Sequence, residues 1–204
     1  MFSSSLGKKY LMALTGLVLI GFVFVHMAGN LQVLAGQAQI NAYAHSLQSL
    51  PWFILWGSRL FLLAAVLIHA WTAYSLIVEN RKARPDANEV EVTKKAGLAS
   101  LRMGFTGSII LAFIVFHLLH FTIRTIYPEY AEMMTTVGSP DETEIHDAFL
   151  MVISGFKHDL ISIFYVVAMA LLCAHLAHGF SSVFQSLGIR SESWRAKIDF
   201  IGIG

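Results

Sequence analysis

Four long apolar runs, separated by short polar or charged connections, make up most of this chain. They lie at residues 10–34, 52–78, 102–126 and 159–185. A bilayer's hydrocarbon core takes about 20 apolar residues per helical crossing, and each run is long enough. No Asp, Glu, Lys or Arg occurs between Tyr10 and Ser58. The pattern predicts an all-α fold: a polytopic transmembrane helix bundle with four complete spans, residues 1–204 forming a single membrane domain. The apolar end of the chain, 197–204, reads as the start of a fifth span. The connection Ala35–Pro51 is polar but uncharged, and its pattern (QINAYAHSLQSLP) predicts a short interfacial helix ended before Pro51. Trp52 and Trp56 follow as interface anchors. The connection Tyr127–Lys157 is acidic and reads as a loop broken at Gly138–Pro140.

Composition sharpens this picture. Of the 204 residues, 56% are hydrophobic and only 13% charged, against about 25% charged in a soluble domain. The net charge of +1 gives no argument for a nucleic-acid partner. The basic residues sort by connection. With the N-terminus on the cytoplasmic side, the inner segments hold Lys8, Lys9, Arg81, Lys82, Arg84, Lys94, Lys95, Arg102, Arg190, Arg195 and Lys197, eleven of the fourteen Lys and Arg. Only Arg59, Arg124 and Lys157 fall on the outer side, so the positive-inside rule is met. The N-terminal run is too long and lacks a small-residue cleavage site, so it reads as a retained span in a multi-pass protein of the cell inner membrane. The single cysteine, Cys173, excludes an intrachain disulfide and a cysteine-based metal or iron–sulfur site.

The chemistry rests on nine histidines. An imidazole inside lipid is costly and marks function. At ~1.5 Å per residue, His26 lies about 24 Å above the inner end of its span and His117 about 22 Å above Arg102. On the descending spans, His69 and His175 each lie about 15 Å above the inner edge. Two pairs at two depths suit two bis-histidine haems, His26 with His117 and His69 with His175, since bundle cores bind such cofactors between facing helices. Two axial imidazoles leave iron no open position, which favours electron transfer over oxygen chemistry. Gly16, Gly21, Gly29, Gly107 and Gly179 would let a flat macrocycle approach the backbone, or serve ordinary close helix packing. His120 and His178 each sit three residues from a preferred ligand and match depth less well; their other roles are hydrogen bonds to haem propionates, to a quinone or to helix backbone. His146 and His158 read as solvated or interfacial residues, and His45, near Gln48, as a lining residue of a small-molecule site. A metal-ion transporter or a haem-free scaffold is the competing class; it would want carboxylates within the membrane, and the span interiors have none.

Several segments carry a resemblance: SSSLGKKYLMALTGL at Ser3–Leu17, HMAGNL at His26–Leu31, NAYAHSLQSLP at Asn41–Pro51, Arg102 followed by TGSIILAFIVFHLLHF at Thr106–Phe121, and HLAHGFSSVFQSLG at His175–Gly188. Together they resemble the cytochrome b membrane-anchor subunit of succinate dehydrogenase/fumarate reductase, in its single-subunit, five-helix, dihaem form. The resemblance implies two haem b groups, ligated by His26 and His117 (distal) and by His69 and His175 (proximal). It implies an iron–sulfur subunit and a flavoprotein docked on the inner face, with electrons passing to or from a membrane quinone, menaquinone or ubiquinone. No residue of this chain would then be a catalytic acid or nucleophile. A homo-oligomer of the whole complex stays open, as does a dihaem cytochrome b serving another quinone-linked dehydrogenase. Arg59, Arg102 and Arg124 are candidates to pair with haem propionates, or to snorkel at the interface. Two departures stand out. Gln48 occupies the position where some relatives carry an acid tied to quinol proton exchange, which moves that duty to His45 or a loop carboxylate. The family also has a complete fifth span, where this sequence stops at Gly204.

Overall fold

The computed structural model describes residues 4–83, 91–136 and 144–188, with the backbone alone for 91–101. Arg84, Gly138–Pro140, the tail arginines Arg190 and Arg195, Lys197 and the expected start of a fifth span at 197–204 lie outside the described residues. The described residues are all-α apart from one small hairpin. Its elements are α1 (Ser5–Asn30), continued by a 3-10 turn at Leu31–Ala35, α2 (Gln37–Gln48), α3 (Trp52–Ala83), α4 (Glu91–His117), a π-helical turn at Leu118–Thr122, and a 3-10 turn at Pro128–Glu132. Then follow β1 (Met134–Thr136) paired antiparallel with β2 (Glu144–His146), α5 (Ala148–Phe156) and α6 (Asp159–Ser186).

Among the described residues, four helical stretches are long and apolar enough to cross a membrane: Ser5–Ala35, Trp52–Ala83, Arg102–Thr122 and Asp159–Ser186. Their outward faces are strongly apolar: Leu160 is 83% exposed, Val166 70%, Val25 68% and Phe24 61%. Apolar faces of this kind are stable facing lipid rather than water. The chain is thus an all-α polytopic membrane protein.

Two compact units divide it, within Met1–Gly21, Phe61–Ile110 and Met169–Gly204 for one, and within Phe22–Leu60 and Leu111–Ala168 for the other. In the first, small side chains let the helices close up, as membrane helices require in the absence of a hydrophobic drive between them. Ala13, Thr15, Ala65 and Thr72 are buried. α1 meets α3 through Lys8, which pairs with Glu79 while Ser5 Oγ donates to the same carboxylate at 3.2 Å. This pairing neutralises one of the basic residues that the sequence reading counts toward topology. α3 meets α4 where Gly104 faces Ile77, and α4 meets α6 where Gly107 faces His175.

The second unit is aromatic. Phe113, Tyr165 and Ala168 form its core, with Phe116, Phe121 and Ile161 packed against them. α2 is the short helix expected ahead of Pro51, and α5 packs against it. The carboxylate of Asp147 caps α5 by accepting from Leu150 N–H (2.9 Å), and also accepts from Asn41 Nδ2 (3.0 Å) and Gln37 Nε2 (2.7 Å). Asn41 Oδ1 in turn accepts from Phe149 N–H at 2.9 Å. Asn41 is fully buried, which is stable because its amide is satisfied on both sides.

The stretch read from sequence as an acidic loop, Tyr127–Lys157, is therefore structured: it carries the hairpin and α5. Its apolar run AFLMVISGF is too short to cross a membrane, so it gives no span signal, yet it is long enough for a capped two-turn helix. The third span also ends earlier than expected. Ile123 N–H donates to Leu118 O at 2.7 Å, closing the π turn, and Arg124 then takes φ 63°. A left-handed conformation at a non-glycine residue stops the helix.

Candidate functional site: paired histidines on facing helices

In the first unit, His69 and His175 are both half-buried and are held alike. His69 Nδ1 lies 3.2 Å from Thr15 Oγ1 and 3.2 Å from the Met12 carbonyl, both on α1. His175 Nδ1 lies 3.1 Å from Thr106 Oγ1 on α4. Each threonine is followed by a glycine against which the ring rests. A Cβ on Gly16 would come within 3.4 Å of His69 Cε1, and one on Gly107 within 3.3 Å of His175 Cε1. The imidazole thus lies against helix backbone at both positions, more tightly at Gly107 than at Gly16.

In the second unit, His26 and His117 meet with ring centroids 5.8 Å apart and planes at 85°. Each is stacked by the phenylalanine one turn before it, Phe22 on His26 at 5.2 Å and Phe113 on His117 at 5.8 Å. Two imidazoles sharing one metal through facing nitrogens have centroids about 6 Å apart, given a metal–nitrogen bond of about 2 Å. The observed separation is close to that value. No group of three or more His, Cys, Asp or Glu that could hold a metal ion occurs among the described residues. A donor set of two imidazoles fits a centre whose remaining ligands come from a macrocycle.

These placements expose an internal repeat that sequence reading missed. Met12-x2-Thr15-Gly16-x5-Phe22-x3-His26 on α1 recurs as Met103-x2-Thr106-Gly107-x5-Phe113-x3-His117 on α4. In one unit the two copies supply equivalent Thr-Gly seats. In the other they supply the two histidines that meet.

The remaining candidates divide. His120 is fully buried in the π turn and packs on Phe121, Tyr127 and Tyr130. It is His117, rather than His120, that touches His26. The two share one partner: Tyr165 Oη lies 3.3 Å from His117 Nδ1 and 3.0 Å from His120 Nδ1. Tyr165 was not singled out in the sequence, where it sits unmarked in an apolar run. His178 is exposed, as are His45 and Gln48, which make no side-chain hydrogen bond among the described residues. Arg59 is exposed and stacks on Trp56 at 5.1 Å, and Arg102 is exposed.

Four buried polar atoms have no hydrogen-bond partner among the described residues: His120 Nε2, Arg124 Nε, Tyr130 Oη and His146 Nδ1. All lie in the second unit, and such orphans mark sites completed by water, an ion or a ligand. Burial lowers the Arg124 pKa from its usual value. Burial, and then the Arg124 charge, holds the His146 imidazole below the ordinary histidine range. His146 is thus half-buried rather than solvated, while His158 is exposed and stacked on Tyr127 at 4.9 Å.

Taken together, the fold and site define a polytopic helical membrane protein with paired intramembrane histidines. No family model, curated protein or solved structure matches the chain.

Proposed function

We propose that this chain is the membrane anchor of a succinate:quinone oxidoreductase, a dihaem cytochrome b that links an iron–sulfur subunit to membrane quinone. The observation that carries the reading is the pair of imidazoles His26 and His117, 5.8 Å apart on two apolar helices. His69 and His175, seated alike in the other unit, are the second ligand pair. Haem b, when bound, supplies a one-electron carrier. The chain's own residues would hold it: His26, His117, His69 and His175 would be its ligands, and Gly16 and Gly107 lie beside the rings of His69 and His175. A haem held by two imidazoles would serve electron transfer rather than oxygen chemistry. The guanidinium of Arg124 and the imidazole of His120 carry unpaired nitrogens suited to carboxylate or carbonyl oxygens. In this reading they face propionate or quinone, with His45 and Gln48 as the other candidates for the quinone. The distribution of Lys and Arg supports an N-terminus inside the cell membrane, with the flavoprotein and iron–sulfur partners on that face.

The test is a reduced-minus-oxidised visible spectrum of the purified protein with its partners, joined to a succinate–quinone assay. Two b-type haems and a co-purifying flavoprotein are expected. His69→Ala should remove one haem and spare the other. A haem-free protein would sink the reading, and haem without succinate activity would move it to another quinone-linked dehydrogenase.

A further inference from the structure

The two threonines of the repeat do more than fill space. A threonine hydroxyl has one proton to give. Thr15 Oγ1 lies 2.8 Å from Leu11 O and 3.1 Å from Met12 O, closer than its 3.2 Å to His69 Nδ1. Thr106 Oγ1 lies 2.9 Å from Arg102 O, closer than its 3.1 Å to His175 Nδ1. Each hydroxyl proton therefore goes back to the helix's own carbonyl, four residues earlier, a common habit of threonine in helices. The oxygen is left to accept, so the imidazole must donate. The Met12 carbonyl, 3.2 Å from the same nitrogen of His69, can only accept and makes the same demand.

We infer that Thr15 and Thr106 are positioning residues that fix His69 and His175 as Nδ1–H tautomers, leaving the lone pair of each Nε2 free to bind a metal. The identity of that metal rests on the haem reading; the tautomer does not. An acceptor at Nδ1–H orients the ring and strengthens Nε2 as a donor, the role outer partners of metal-bound histidines play elsewhere. The arrangement occurs twice, on different helices, with the same threonine–glycine pair beneath each ring. That repetition separates it from a chance contact.

Two measurements test it on the full-length chain. The first is NMR of protein carrying nitrogen-15 histidine, assigned with His69→Gln and His175→Gln chains. Both residues should show a protonated Nδ1 and an unprotonated Nε2; the opposite tautomer at either would overturn the inference. The second is titration with haemin of the wild type and of T15V, T106V, T15S and T106S. The valine variants should lose roughly ten- to a hundredfold in affinity at one of two sites. The serine variants, which keep the hydroxyl, should recover it, and the midpoint potential of the affected site should rise in the valine variants. Valine variants that bind haemin as the wild type does would also overturn the inference. A wild type that binds no haemin would instead refute the haem reading, and the NMR result would still decide the tautomer.

Discussion

At the scale of single residues, Tyr165 is the position on which two histidines converge. Its hydroxyl has one proton and two lone pairs, so it can donate to at most one of the two imidazoles. Tyr165→Phe strands a buried imidazole nitrogen, at a cost of about 1–3 kcal/mol. Thermal unfolding in detergent should show a lowered midpoint for this variant; an unchanged protein would refute the shared bond. Gly155 tests the packing of the same cluster. A Cβ there would fall 2.9 Å from the Phe121 ring and 3.2 Å from His120 Cε1. Gly155→Ala should destabilise by about 1–3 kcal/mol through overpacking, read by the same melting experiment. Legibility differs sharply among these residues. Intramembrane histidines stand out in sequence because burying an imidazole in lipid has few cheap explanations. Tyr165 does not, because its partners are 48 and 45 positions away and only the fold brings them together.

At the scale of elements, the pair α2 and α5 depends on one carboxylate. Burial alone would raise the Asp147 pKa, but the bonds from Leu150 N–H, Asn41 and Gln37, with the nearby His146, outweigh it and hold the carboxyl below its ordinary range. A folded-state pKa below the unfolded value means a stabilisation fully present above the ordinary carboxylate pKa of about 4 and lost as pH falls below it. Acid unfolding of the α2–α5 region, followed by proteolysis or hydrogen exchange, should therefore set in below about pH 4. Asp147→Asn should flatten that dependence while keeping the cap on α5, since Asn caps nearly as well. An Asn variant with the wild-type acid profile would refute the assignment. The four spanning helices were legible from hydropathy, and α2 from its polar pattern ahead of Pro51. The start of α4 at Glu91 was not, because its charged opening reads as a loop, and α5 was hidden by its shortness. The π turn leaves no mark in composition at all.

At the scale of the whole molecule, the distribution of basic residues predicts a topology. In a Cys173→Ser background, Ser46→Cys on α2 should react with a membrane-impermeant maleimide added to intact cells. Ser4→Cys should react only after permeabilisation, and the reverse pattern would invert the orientation. The four spans among the described residues were readable from the chain because lipid imposes a length and a polarity on every crossing. The internal repeat was equally present in the letters, but its spacing gained meaning only once each copy was seen to seat or pair a histidine. Its consequence is evolutionary. A segment present twice in one chain has escaped the rule that binds a homodimer, in which any substitution appears at both symmetric positions at once. Here a mutation strikes a single copy. Met12 to His26 and Met103 to His117 agree at five residues and differ at the other ten, so either copy can change around its shared residues without the other changing with it.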